Sequence, residues 1–221
     1  VSFIGSQLHL IASLSWLKSN SQYSSLIPIY LISASLPIAF VAILGGAIVD
    51  RKSCRGIVII SDAISGLLAI ILGVFFLLSS FIPDIYLLYA LFFTTTGISL
   101  CQSLHKPATL KLVKITVPKD ELCDGHSWYE FANRCSAPVG HAIGGFLIPI
   151  VGAGVLYCVN GISFVCSCLS ESKIDKNIEG KKKLDSGKEK LRWKDILNTL
   201  HYIFKPSNKL NIRPIIILVL I

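Results

Sequence analysis

Residues 56–78 read GIVIISDAISGLLAIILGVFFLL, an apolar run interrupted by one charge, Asp62. At 1.5 Å of rise per residue such a run makes a helix about 35 Å long, enough to cross the roughly 30 Å hydrocarbon core of a bilayer. A charged side chain at the bilayer centre costs about 2.5 to 3.5 kcal/mol even on the most forgiving scale, so runs this clean mark transmembrane helices. The pattern repeats on both sides. Runs 2–17, 24–49 and 85–104 are each of spanning length or nearly so. Residues 135–170 are charge-free for too long to be one span, and Pro149, Gly152 and Gly154 supply turn residues near the middle. This predicts a fifth helix over 127–150 and a sixth over 153–169, with residues 211–221 opening a seventh.

Composition points the same way. Hydrophobic residues make up 52% of the chain and charged ones 15%, with a mean hydropathy of +0.66, whereas charge is usually about a quarter of a soluble domain. The chain opens at Val1 inside an apolar run, contains no Met and closes before the seventh helix could span, so it reads as a fragment. The seven cysteines fall mostly within apolar runs without the paired spacing of a zinc site or a disulfide framework, which suits small packing residues.

Lysine and arginine set the orientation, because cytoplasmic loops carry the positive excess. Arg51, Lys52 and Arg55 follow the second run, Lys106, Lys111, Lys114 and Lys119 follow the fourth, and 12 more basic residues lie from Lys173 to Arg213. Lys18 is the one basic residue of the opposite loops. Even connections are therefore expected in the cytoplasm, together with the polar, Lys-rich linker 171–210. The net charge of +8 is a topology signal and not a nucleic-acid footprint. No phosphate-cradling glycine loop, metal-spaced His and carboxylate set or nucleophile with a base appears along the chain, so neither an enzyme nor a bound cofactor or metal is expected.

At the end of the second run the sequence reads Gly45, Gly46, Ala47, Ile48, Val49, Asp50, Arg51, Lys52, Ser53, Cys54, Arg55. This resembles the loop signature of the major facilitator superfamily: a glycine, four residues on an aspartate followed by arginine, then a basic cluster. Gly46, Asp50, Arg51 and Arg55 fit, while Ser53 stands at the usual glycine position and Cys54 at a basic one. Three further stretches resemble the drug and siderophore exporters of that superfamily, which include macrolide-efflux and enterobactin-exporter proteins. They are 103–122, with Pro107, Pro118 and Glu121; Gly140, His141, Ala142, Ile143, Gly144, Gly145, with His141 where proline is usual; and 160–164, beginning at Asn160. The resemblance covers nearly all of residues 1–170.

It implies an all-α integral membrane fold: the six-span N-terminal half of a twelve-span transporter, built as two inverted three-helix repeats. It also implies a plasma-membrane exporter of small amphipathic compounds that works by alternating access, with protons or another ion as coupling partner and a C-terminal half to complete it. Another cargo, such as a lysophospholipid or a nutrient, or a decayed remnant that no longer transports, fits the same sequence. The arginine common in the fourth span of proton-coupled members has no counterpart in 85–104, and the first span carries no acid. Gly46, Asp50, Arg51 and Arg55 would form a conformational latch, and Gly140, Gly144 and Gly145 a helix-packing tract.

Polar groups inside spans are functional candidates by default. Asp62 could titrate, bind a cationic substrate, or serve as a strut for Arg51 or Arg55. Glu130 and Arg134, four residues apart, can pair on one helix face. Gln7, His9, Asn133, Arg134, His141 and Asn160 are candidates for the central cavity, with interhelical hydrogen bonding as the plainer role. Trp16 and Trp128 suit the interfacial belts.

Overall fold

The computed structural model describes residues 2–51 and 53–174, all within the first of two units, Val1–Asp185. The expected linker beyond 174 and the seventh helix at 211–221 lie outside the described residues. Among those described there is no strand. The helices are α1 (Ser2–Ser19), α2 (Ile27–Arg51), α3 (Cys54–Leu77), α4 (Asp84–Thr116) and α5 (Leu122–Ser172), with short 3-10 turns at Ser24–Leu26, Ser79–Phe81 and Lys119–Glu121. Three of them, α3, α4 and α5, are long and apolar enough to cross a membrane.

The helices bury one stripe each, and α2 to α5 expose apolar side chains on other faces, the inverse of a soluble protein's polar surface. On α1 the buried residues are Gly5, Leu8, His9, Ala12, Ser13 and Leu17, the three-and-four spacing of one helical face. On α3 the stripe is Val58, Ser61, Asp62, Ser65, Gly66, Ala69, Leu72, Gly73 and Phe76, while Ile60, Leu67, Ile71 and Leu77 are exposed. Small and polar residues thus face protein and large aliphatic ones face out, as packing in lipid requires.

Position 53 opens α3. The Ser53 backbone is extended and its Oγ accepts from the Gly56 N–H at 3.2 Å, satisfying one of the donors that a helix N-terminus leaves open. At the other end of the same connection, Lys111 Nζ donates to the Val49 carbonyl in the last turn of α2 at 3.0 Å. This contact exists because α4 does not stop at 104. It runs to Thr116, so Lys106, Lys111 and Lys114 stand on a helix where the sequence reading placed a loop. Charge ended the apolar run without ending the helix, since lysine, leucine and alanine are all good helix formers.

The long helix α5 is two limbs. Gly152 breaks it with φ +76° and ψ 167°, a conformation open essentially only to glycine. No atom lies within 4 Å of where its Cβ would be, so the constraint is on the backbone and not on space. The expected turn at 149–154 falls here, and the first limb starts at Leu122 instead of 127.

The limbs close the bundle. The first limb lays Gly140 against Gln7 and Ile4 of α1, and Gly144 against Leu8 and Ile11; Gly145 has nothing within 4 Å. The second limb meets α3 through four glycines, of which the sequence singled out only Gly154, and that as a turn residue. Gly66 faces Gly161, and Gly73 faces Gly154, with carbonyl oxygens 3.0 to 3.2 Å from where a Cβ would sit. Around α1, α3 and α4 the main core gathers Leu17, Tyr30, Leu72, Phe76, Leu87, Leu91 and Tyr157.

Candidate functional site

Between α1, α2 and α4 lies a cavity of about 310 Å³, walled by aliphatic side chains such as Leu10, Leu31 and Ile98. Its size is at the low end of small-molecule sites, which pair an apolar lining with a few polar groups. Here the polar groups are His9, Tyr30, Thr95 and Gln102, the serines Ser6, Ser35 and Ser99, and Asn160 of the second α5 limb.

His9, Thr95 and Tyr30 form a connected network. Thr95 Oγ1 donates to the Tyr30 hydroxyl at 3.3 Å, and His9 Nε2 lies 3.3 Å from Thr95 Oγ1. With its one proton on Tyr30, Thr95 must accept from His9, which assigns the His9 proton to Nε2. His9 Nδ1 is then an acceptor, and it is buried without a partner. The His9 ring is held by Tyr157 at a centroid distance of 4.9 Å, and the Ser13 Oγ donates to the His9 carbonyl at 2.8 Å while contacting Tyr157 Oη at 3.1 Å. Asn160 is wholly buried, and neither Oδ1 nor Nδ2 has a hydrogen-bond partner. Buried amides are nearly always bonded, so the two open ends of Asn160 beside the cavity stand out.

A second cluster adjoins the first through Gln102, whose Nε2 donates to Asp62 Oδ1 at 3.3 Å. His105 Nε2 lies 3.4 Å from Asp62 Oδ1 and 3.4 Å from Glu171 Oε1. Asp62 is fully buried, and the three residues come from α3, α4 and the last turn of α5. The partners of Asp62 in this cluster are His105 and Gln102, and the Arg51 side chain lies outside the description. Arg55 reaches elsewhere, its Nη2 donating to the Ser172 carbonyl at the end of α5 at 2.5 Å. Basic groups at a helix C-terminus complement its unpaired carbonyls.

The other sequence candidates separate. Gln7 Oε1 and His141 Nε2 are 2.9 Å apart across the α1–α5 contact, outside the cavity lining. Arg134 Nε lies 3.7 Å from Glu130 Oε2 with the Arg134 side chain exposed, and Lys106 Nζ approaches Glu130 Oε1 at 3.6 Å, tying α4 to α5. Asn133 is half-buried on the first limb. Gly46, Asp50 and Arg51 close α2 by their backbone, and their side chains lie outside the description.

Tyr30, Thr95, Gln102, His105 and Glu171 were not singled out from the sequence. Tyr30 and Thr95 look like ordinary polar interruptions of apolar runs. His105 and Glu171 sit one residue or so beyond the charge-defined ends of their spans, where polarity is expected anyway.

The family model described as transmembrane secretion effector matches residues 1–193 of this chain. No curated protein and no solved structure matches it.

Proposed function

The chain belongs to the transmembrane secretion effector family of the major facilitator superfamily, a family of transporters, and from that premise we propose that it exports small amphipathic compounds. In this reading it is the N-terminal half of a twelve-span secondary active transporter of the plasma membrane, moving drug-like or siderophore-like cargo by alternating access. The basic loops and the 171–210 linker lie in the cytoplasm, and protons or another ion drive the cycle. Asp50, Arg51 and Arg55 act as a latch at the cytoplasmic end.

The observation that carries the reading is the cavity between α1, α2 and α4. It offers apolar walls for the body of an amphipathic molecule, and unsatisfied polar atoms on His9 and Asn160 for its polar end. Such a mixture holds a cargo without strong charge and lets it go again.

Ser35 lines the cavity from an exposed position on α2, so Ser35→Phe fills it with little demand on the core. In cells carrying the complete gene, efflux of a fluorescent amphipathic dye should fall about tenfold in Ser35→Phe at unchanged protein abundance, the loss of roughly one good cargo contact. Unchanged efflux would remove the cavity from the transport path.

A further inference from the structure

We propose that Asp62, His105 and Glu171 form a binding site for a divalent transition-metal ion of the zinc class, joining α3, α4 and the second limb of α5. One donor atom from each residue lies within 4.8 Å of the others. The two distances from His105 Nε2, 3.4 Å to Asp62 Oδ1 and 3.4 Å to Glu171 Oε1, are long for charge-assisted hydrogen bonds, which sit at about 2.7 to 2.9 Å. They are the right length for something else. A tetrahedral ion with ligand distances of about 2.1 Å has donor-to-donor edges of about 3.4 Å.

The remaining atoms fit the same reading. Asp62 is wholly buried, yet its Oδ2 has no hydrogen-bond partner, and neither has the buried Glu171 Oε2. A buried carboxylate oxygen left open is costly, and a cation relieves it. Two carboxylates and a neutral imidazole carry the charge that a divalent ion cancels, and nitrogen with oxygen donors suits zinc, cobalt or manganese better than magnesium or calcium. Around the ligands stand the groups that orient them. Thr109 Oγ1 is 3.4 Å from His105 Nδ1, Gln102 donates to Asp62 Oδ1, and Ser167 Oγ donates to Glu171 Oε1 at 3.3 Å. Such outer partners fix the ring and raise ligand basicity. Three protein ligands leave one position for water, and Glu171, with 17% of its side chain exposed, is the way in.

The site adjoins the cavity through Gln102, which lines the cavity and donates to Asp62. It joins three helices between two apolar clusters, one of Ala69, Ile98 and Phe164 and the other of Val58, Ala108 and Leu112.

Cobalt titrated into the purified full chain in detergent tests this directly. The expected result is saturable binding with the visible bands of four-coordinate cobalt, displaced by zinc. Asp62→Asn and His105→Gln should abolish the bands, and Thr109→Val should weaken binding about 10- to 100-fold. Zinc should raise the melting temperature of the wild type and leave that of Asp62→Asn unchanged. Absence of cobalt bands in the wild type, or bands that persist in both ligand variants, would overturn the assignment. Should either ligand variant fail to fold, Thr109→Val decides: undiminished affinity there counts against the site.

Discussion

Ser53 stands where the superfamily signature usually has glycine, and the two residues solve the same problem differently. A helix start needs either an extended backbone with a side-chain acceptor, or a residue that leaves the first N–H groups open to water; serine supplies the former. Ser53→Ala should therefore destabilise the protein by about 1 kcal/mol, while Ser53→Gly costs only a few tenths, measured by thermal unfolding in detergent. Equal losses would mean that the Ser53 Oγ bond contributes nothing. Gly152 is a stricter case. With φ at +76° and free space around it, Gly152→Ala should cost about 1 to 3 kcal/mol from backbone strain alone. A variant as stable as the wild type would show that the limbs do not need this conformation.

The helices themselves were legible because hydropathy and helix propensity agree over long runs. Where they part company, the sequence misleads. Lys106, Lys111 and Lys114 end the apolar signal of α4, yet the helix continues to Thr116, because lysine is unwelcome in hydrocarbon but comfortable in a helix. The cavity was half legible: His9 and Asn160 stand out as polar groups inside spans, but Tyr30 and Thr95 acquire meaning only once α2 and α4 are placed side by side. The cluster of Asp62, His105 and Glu171 was not legible at all, since residues separated by 43 and 66 positions make no motif. The glycines are instructive. The run at 140–145 drew notice by density, whereas Gly66 with Gly73 and Gly154 with Gly161, each pair seven apart, form the seam between α3 and α5. A Cβ at Gly161 would lie 2.9 Å from the Ile70 backbone nitrogen, and one at Gly73 2.8 Å from that of Cys158. Gly161→Leu should therefore abolish a monodisperse elution profile in detergent, and Gly145→Leu should leave it intact. The opposite order would move the tight seam to the first limb.

At the scale of the whole molecule, the charge asymmetry makes a prediction that does not depend on any contact. A cysteine placed at Lys181 should react with a membrane-impermeant thiol reagent only after the cytoplasmic side is opened, and one at Lys18 should react in intact cells, each in a background lacking the seven native cysteines. Labelling of Lys181→Cys from outside would reverse the orientation of every span. The seven native cysteines form no disulfide, so their replacement breaks no crosslink. The break at Gly152 bears on how the chain reaches this state. No Asp, Glu, Lys or Arg occurs between 135 and 170, so the limbs on either side of Gly152 leave the ribosome without a hydrophilic spacer. The backbone groups freed at the turn cannot rest in hydrocarbon and must reach water on the far side before either limb is settled. On the six-span reading the two limbs are therefore expected to enter the bilayer together, as a hairpin whose tip is set by one residue.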